Sequence, residues 1–442
     1  MKKNTAQAAP AAREFDKLAG LPEALLPYAL ILMLGYAFYN IALRFVPIDF
    51  DDLVLLSSVK NVNNPLAFFM GDWGFGNYGY RPLHSLSLWL GYQLVGVSSG
   101  PNQLLNILLH CAVIMLLFAL LEKLLSRKHW ALALALACLG LISLYTASAP
   151  TWISDRPTLL VSLFLMILLN YLARLKVDEN PKAWVLGILS LLALLSKESG
   201  LILPLVSLYV LAFESKGKSG KMPAILLLLL LLAAYSIFRF VLFGQNAATY
   251  SEAGYLLGRT YYANLEELQG FERLAGYFEN AFKNMLAVFL PVFDGQGQLA
   301  LIGTRLNSLA VLGCTLLLFI LSLGRKLTRF QKIALIIILL NGMLHFQLFR
   351  YRTLYIPQLA FLIFIASSDS LKGEKPARRL LVFLLAALFV LWNTHMLGEN
   401  LNFELVERVQ RLAQTTFEQD ILATSNRIDT DIVREIIAKY RH

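Results

Sequence analysis

The sequence predicts an all-α membrane protein whose chain crosses the bilayer many times. Of its 442 residues, 57% are hydrophobic and 15% are charged, whereas a soluble domain is about 45–50% apolar and about 25% charged. The apolar residues come in runs of roughly 15–22, the length that a helix needs to cross a bilayer. These observations exclude a soluble enzyme and a largely disordered chain.

The net charge of +10 is explained by membrane topology. A basic protein can bind nucleic acid, but the sequence contains no arginine-rich stripe and no soluble nucleic-acid module. Lysines and arginines in short loops orient the helices of a membrane protein, with the basic loops on the cytoplasmic side. We therefore expect membrane lipids as partners and no nucleic acid.

The first apolar run, Leu25–Val46, predicts a retained first span. It is too long for the core of a signal peptide, and no small-residue cleavage site follows it. Cys111, Cys138 and Cys314 all lie inside apolar runs without metal-ligand spacing, so they predict packing residues and neither a disulfide frame nor a cysteine metal site.

Five basic clusters set the number of later spans. They are Lys123/Arg127/Lys128, Arg174/Lys176/Lys182, Lys216/Lys218/Lys221, Arg325/Lys326/Arg329/Lys332 and Lys372/Lys375/Arg378/Arg379. If all five face the cytoplasm, an even number of spans separates neighbouring clusters. This parity makes Leu83–Val97 an interfacial helix on the outer face. It also divides Ala183–Phe213 into two short spans that meet at Lys197-Glu198, and Gln331–Ala366 into two spans that meet at Arg350.

The resulting topology has about eleven spans, with the N-terminus in the cytoplasm and the C-terminus outside. We expect a transmembrane module over residues 1–397, with outer loops at 46–101 and 244–305, and an amphipathic outer tail over 398–442. Ala281–Phe293 is too short to span and predicts a second interfacial helix. The tail is expected to lie against the membrane or the long loop, because Leu405, Val409 and Leu412 share one helix face.

Charged residues at the outer ends of the predicted spans suggest a functional site. Such charges are costly near the membrane and usually face a cavity or pathway. They are Asp49, Asp51 and Asp52, then Arg81 and His84, Asp155 and Arg156, Lys197 and Glu198, and Arg350 and Arg352, with His345 nearby. A carboxylate can accept a proton from a hydroxyl, and lysine or arginine can hold a phosphate. The alternative is that each pair is a local ion pair at a helix end.

Asp49, Asp51 and Asp52 form the densest acidic cluster of the chain. Three carboxylates in four residues suit solvent, a bound cation or a shifted pKa. Oxygen ligands alone would suit Mg²⁺, Mn²⁺ or Ca²⁺. His84 and His345 suit hydrogen-bonded packing better than ligation. The tyrosines of the 244–305 loop fit sugar stacking, an acceptor groove or an interfacial aromatic belt.

Several motifs, in this order, resemble the GT-C superfamily of membrane glycosyltransferases. They are Asp51-Asp52 after the first span, the stretch from Gly79-Tyr80-Arg81-Pro82 to Gly96, Asn106–His110, Ser154-Asp155-Arg156-Pro157, Leu195–Pro204 and Arg350–Pro357. The order is similar to that of the protein O-mannosyltransferase-like group and, more distantly, of the lipid A aminoarabinose transferases. The resemblance covers roughly Val46 to Ala366. The chain departs from that group by lacking a tetratricopeptide tail and by carrying Phe349-Arg350-Tyr351-Arg352 where relatives often have Glu-Arg.

The resemblance implies a GT-C-like helical bundle and a role for each matched residue. Asp51 would be the base, with Asp49 and Asp52 as supports or cation ligands, and Asp155 would be the second outer-loop acid. Arg81, Lys197, Arg350 and Arg352 would hold the donor phosphate. Tyr80, His84, Arg156, Glu198, His345 and Tyr351 would support them, and a divalent cation, Mg²⁺ or Mn²⁺, would lie at Asp52 and Asp155.

The implied reaction is an inverting transfer of a sugar from a polyprenyl-phosphate or -diphosphate donor to a hydroxyl acceptor, which is a protein or a glycolipid. A transporter of lipid or solute is the alternative, although we find no repeat symmetry of the kind that marks many transporters. The chain has no Asn-x-Ser/Thr sequon, which favours a bacterial inner membrane with a periplasmic site over the endoplasmic reticulum.

Overall fold

In a computed structural model of the chain, every regular element among the described residues is a helix. The structure describes residues 21–70, 80–176, 179–215, 221–238, 270–289, 313, 316–324, 326–345, 351–372 and 376–441. Three helices in these ranges are long and apolar enough to cross a membrane: Leu25–Arg44, Ser99–Leu125 and Ile153–Arg174. A fourth candidate is the pair Arg127–Ile142 and Tyr145–Thr151, which is bent by 62°. By this length criterion the expected eleven spans are not reached.

We number the α-helices of the described ranges in chain order. They are α1 Leu21–Tyr39, α2 Phe50–Lys60, α3 Pro82–Val95, α4 Ser99–Leu125, α5 Trp130–Ile142, α6 Leu144–Thr151, α7 Arg156–Arg174, α8 Ala183–Leu194, α9 Ile202–Tyr209, α10 Lys221–Ser236, α11 Gly270–Leu286, α12 Arg329–Leu344, α13 Tyr355–Ala366, α14 Asp369–Lys372, α15 Pro376–Ala413, α16 Phe417–Thr424 and α17 Thr430–Tyr440.

Helix α4 lies at the centre of the bundle and packs against α1, α5, α7 and α13. Polar contacts join these helices inside the apolar core. His110 Nε2 lies 2.9 Å from the carbonyl of Leu141, so it donates there, and Nδ1 accepts from the Tyr355 hydroxyl at 2.6 Å. The Tyr39 hydroxyl donates to the same carbonyl at 2.7 Å. All three side chains are buried and hydrogen-bonded, which satisfies the usual requirement for polar groups in a core.

Two predicted breaks in long apolar runs are present. The run 183–213 divides into α8 and α9, with Lys197 in extended backbone and a 3-10 turn over Glu198–Leu201 between them. A Cβ atom added to Gly200 would lie 2.2 Å from the backbone oxygen of Ala193, so the turn requires glycine. The run 331–366 likewise divides into α12 and α13, with a 3-10 turn over Tyr351–Leu354 before α13.

Contacts between helix termini define two opposite ends of the bundle. At the basic end, Arg379 contacts His129, Arg378 donates to the carbonyl of Leu321, and Lys332 pairs with Glu214 at 3.0 Å. At the other end, which we call the site end, Ser154 donates to Asp52, and the Leu83 amide donates to the carbonyl of Leu195 at 3.0 Å. Among the described residues, the basic clusters and the predicted site residues therefore occupy opposite ends.

Two predicted boundaries differ from the structure. The second interfacial helix was expected at Ala281–Phe293, but α11 runs over Gly270–Leu286, because a stripe of Phe271, Phe278 and Phe282 continues the helical pattern towards the N-terminus. These side chains are 82%, 62% and 58% exposed. The expected boundary at 397/398 lies inside α15, which passes from the last predicted span into the tail without a break.

The tail has one neighbour that the sequence did not predict. Helices α16 and α17 pack against the first outer loop, in a second buried apolar cluster separate from the main core. That cluster includes Leu53 and Leu56 of α2 and Ile432, Val433 and Ile436 of α17. Cys111 and Cys138 are buried and free, as expected for packing residues, and Cys314 lies outside the described residues.

Candidate functional site

The site end brings the first acidic loop against the start of α7. Asp52 is 1% exposed, and its Oδ1 accepts two hydrogen bonds from Ser154, one from the backbone amide at 3.0 Å and one from the hydroxyl. Ser154 precedes Asp155 and Arg156 in the 3-10 turn Ile153–Asp155 that leads into α7. Two of the predicted charge clusters, far apart in sequence, are therefore joined directly.

The environment of Asp52 disfavours its charged form. Burial raises the pKa of Asp52 to about 7, and the nearby Asp49 carboxylate acts in the same direction. Arg408 and the two hydrogen bonds from Ser154 act in the opposite direction. Because the side chain is buried, an acceptor molecule cannot reach it, and its geometry suits a structural link to Ser154 better than the abstraction of a proton.

This raised pKa predicts that stability falls as pH rises. An aspartate in an unfolded chain has a pKa near 3.9, so the folded protein holds an extra proton between about pH 4 and about pH 7. The proton-linked stabilisation is complete below about pH 4 and is lost as pH approaches 7. From about pH 5 to about pH 8, we expect the melting temperature of the wild type to fall relative to that of Asp52→Asn. If the melting temperatures of the two proteins changed with pH in parallel, the raised pKa of Asp52 would be contradicted.

Asp155 connects α7 to the break between α8 and α9. Its Oδ1 accepts from the Thr158 hydroxyl at 2.6 Å and lies 3.4 Å from Lys197 Nζ. Lys197 Nζ also donates to Thr158 at 2.6 Å. Asp155 is 4% exposed and the Lys197 side chain is 18% exposed, so the three groups form a largely buried polar cluster.

Arg81 connects α3 to the same turn. Its Nε donates to both carboxylate oxygens of Glu198, at 3.1 Å and 2.9 Å, and its Nη2 lies 2.6 Å from Oε2. The hydrogen bond from the Leu83 amide to the Leu195 carbonyl holds the start of α3 against this turn. Tyr80, the residue before Arg81, donates to the carbonyl of Phe69 at 3.2 Å and stacks on Phe238.

The buried His84 imidazole is affected by three cations of the site end. Burial, and then Arg81, Arg156 and Lys197 in that order, lower the pKa of His84 well below its usual value. The imidazole is therefore neutral at physiological pH. Two of these three cations also take part in the ion pairs described above.

Arg156 is fully buried and bonded to neutral acceptors. Its Nε donates to Asn106 Oδ1 at 2.7 Å, its Nη1 to the carbonyl of Ser87 at 2.9 Å, and its Nη2 to the carbonyl of Asn102 at 3.2 Å. The guanidinium thus joins α3, α4 and α7. None of these three acceptors is charged, so Arg156 contributes its positive charge to the site without a carboxylate in contact.

The other two carboxylates of the first loop have different surroundings. Asp51, in the first turn of α2, is partly exposed, and among the three loop aspartates only Asp49 and Asp51 can be reached from solvent. Asp49 forms an ion pair with Arg408 of α15. Asp51 is therefore an accessible carboxylate in the first turn of α2.

The predicted residues near the second break are only partly described. Arg350 lies outside the described residues, as do the side chains of Tyr351 and Arg352, whose backbone forms the 3-10 turn that packs against α6. His345 ends α12, where Nδ1 lies 2.9 Å from the Asn341 carbonyl and the His345 carbonyl accepts from Asn284. These contacts fit a helix-terminal packing role and do not join His345 to Asp155 or Lys197.

Two carboxylates were predicted to hold a divalent cation, Asp52 and Asp155. In each, Oδ2 is buried and makes no hydrogen bond within the described part of the chain. Over the same residues, no three His, Cys, Asp or Glu side chains stand together in a way that could hold a metal ion. Mg²⁺ can be bound by one or two carboxylates with water and substrate phosphate oxygens, so these two Oδ2 atoms are the ones that would hold it.

Sequence reasoning did not find Arg408, Ser154 or Thr158 as parts of this region. Arg408 lies more than 350 residues from Asp49 in sequence, and no sequence signal marks it as buried. Ser154 and Thr158 flank Asp155-Arg156 and were visible only as parts of a motif. No protein-family model, no curated protein and no solved structure matches the chain.

Proposed function

We propose that the chain is an inverting glycosyltransferase that moves a sugar from a polyprenyl-phosphate or -diphosphate donor to a hydroxyl acceptor, a protein in the first instance. The observation that carries the proposal is that ion pairs hold Arg81 and Lys197 at one turn, at the end of the bundle where α2 carries the partly exposed Asp51. A phosphate-bearing lipid needs cations, and an attacking hydroxyl needs a base. The GT-C-like order of the motifs agrees with both requirements.

In the proposed reaction, Asp51 removes the proton from the acceptor hydroxyl as its oxygen attacks the anomeric carbon. The new carbon–oxygen bond forms as the bond from that carbon to the phosphate oxygen breaks, so the configuration inverts. Lys197 and Arg81, with Arg350 and Arg352, take up the charge that develops on the departing phosphate. Asp155 and Glu198 hold Lys197 and Arg81 before the donor arrives, and the phosphate competes with them for these cations.

The proposed topology has eleven crossings. It is supported by successive helices that run in opposite directions between the site end and the basic end. For example, α4 begins beside Thr151 at the site end and leads to His129 at the basic end, whereas α8 begins at Lys182 and ends at Leu195 beside Leu83. Several crossings consist of helices of only 12–16 residues, such as α8, α10 and α13. By the positive-inside rule the basic end is cytoplasmic, and the site end and C-terminus are periplasmic, in a bacterial inner membrane.

Transfer of radiolabelled sugar from a polyprenyl-phosphate donor tests the proposal. The purified full-length protein, reconstituted in vesicles, is given the donor with a protein extract, a glycolipid extract or no acceptor. Label that moves to protein supports the function as stated, and label that moves to glycolipid keeps the chemistry but changes the acceptor. Label that enters vesicles still attached to its lipid, without transfer, would favour the transporter, an alternative that the charged break at Lys197 also fits.

A further inference from the structure

The C-terminal segment contacts the first turn of α2, the helix that carries Asp51 and Asp52. Arg408 of α15 forms an ion pair with Asp49, the residue just before α2, and its Nη1 donates to the Val46 carbonyl at 3.1 Å. The guanidinium also lies 4.8 Å from the centre of the Phe45 ring. Arg408 is 8% exposed, so three kinds of contact fix one buried cation at the start of the acidic loop.

The same segment also contacts the last turn of α2. Lys60 Nζ lies 2.9 Å from Asp429 and 3.2 Å from Asp431, the residues that begin α17. The backbone amide of Asp429 donates to the Ser57 hydroxyl at 2.9 Å. At its own end, α17 is fixed to α4, because the Ser99 amide donates to the Tyr440 hydroxyl at 2.8 Å.

An apolar interface connects these two polar contacts. Ile432, Val433 and Ile436 of α17 are fully buried in one cluster with Leu53 and Leu56 of α2. Helix α2 has 11 residues, and isolated helices shorter than about 12–15 residues are marginal in water. Its position therefore depends on what packs against it, and α17 of the C-terminal segment packs on it together with α3 and the turn before α7.

We propose that residues 408–440 form a clamp that positions α2, which makes the C-terminal segment an integral part of the site and Arg408 a positioning residue for Asp51 and Asp52. The catalytic consequence rests on the proposed function, but the clamp itself does not. A sugar-transfer enzyme with this clamp would depend on its C-terminal 35 residues even though they contain no group that touches the substrate.

Hydrogen exchange of the full-length protein in nanodiscs tests the clamp without any assay of activity. In Arg408→Gln, we expect the amides of residues 50–60 to exchange about tenfold faster, because a buried charge-assisted contact is lost. The amides of α5, on the other side of the bundle, keep their rates, and Arg408→Lys recovers part of the protection. The matched control is Arg434→Gln, which removes an arginine of α17 that is exposed and pairs only at the surface with Glu418.

Unchanged exchange of residues 50–60 in Arg408→Gln would overturn the clamp. Absence of sugar transfer in the wild type would instead overturn only the proposed function.

Discussion

Replacing Asp51 by Asn should reduce sugar transfer by roughly 10²–10⁴-fold, the usual contribution of a general base. The amide has nearly the same shape but cannot accept the hydroxyl proton. Donor binding should stay within about twofold of the wild type, because the cations proposed to hold the phosphate, such as Arg81 and Lys197, lie outside α2. Single-turnover transfer and binding of the donor lipid, measured on the same preparation, separate the two effects.

The control for this variant is Asp420→Asn, the same chemical change at an exposed position of α16. It should transfer sugar at the wild-type rate. Near-normal transfer by Asp51→Asn would remove Asp51 from the role of base. If donor binding fell by the same factor as transfer, Asp51 would contribute to binding of the donor and not to the chemical step.

Replacing Arg156 should cause the largest loss of stability of any substitution at the site. Arg156→Met leaves the Asn106 side-chain oxygen without its donor and removes a second hydrogen bond from the helical carbonyls of Ser87 and Asn102. The unpaired buried oxygen costs about 1–3 kcal/mol and the two lost bonds from a charged donor add to it, so a loss of about 3 kcal/mol is expected. Arg156→Lys should also be destabilised, because one ammonium group cannot reach acceptors that a planar guanidinium reaches in three directions.

Thermal unfolding in detergent measures this loss, with Arg434→Met as the control. Arg434 is 64% exposed as a side chain, and its ion pair with Glu418 contributes little to stability. If Arg156→Met melted at the same temperature as Arg434→Met, the guanidinium would not be the link between α3, α4 and α7.

Charge inside apolar runs was the signal that made the fold predictable. Lys197-Glu198 and the basic residues after Phe349 indicated breaks, and the structure has a turn at the first and resumes helix at Tyr351 after the second. The same charges indicated that outer segments converge, and Asp52, Asp155, Lys197 and Arg81 are indeed linked through Ser154, Thr158 and Glu198. Hydropathy reports these features because lipid tolerates charge only where protein or water covers it.

What hydropathy does not report is which polar elements pack together. The packing of the tail against α2 was not predicted, because the face of α17 that carries Ile432, Val433 and Ile436 has no unique complement in the sequence. The start of α11 was missed for a related reason. Its phenylalanines lie between charged residues, so average hydropathy falls where the helical periodicity continues.

In the proposed function, the cations of the site end bind the phosphate of a lipid donor. The binding of polyprenyl phosphate without sugar tests this role most directly. Titrated into the wild-type protein in nanodiscs, this lipid should saturate a single site, and Lys197→Gln should weaken binding at least about tenfold. The control lipid is the matching polyprenol, which lacks the phosphate and should bind weakly to both proteins. Equal affinity of the wild type and Lys197→Gln for polyprenyl phosphate would contradict the claim.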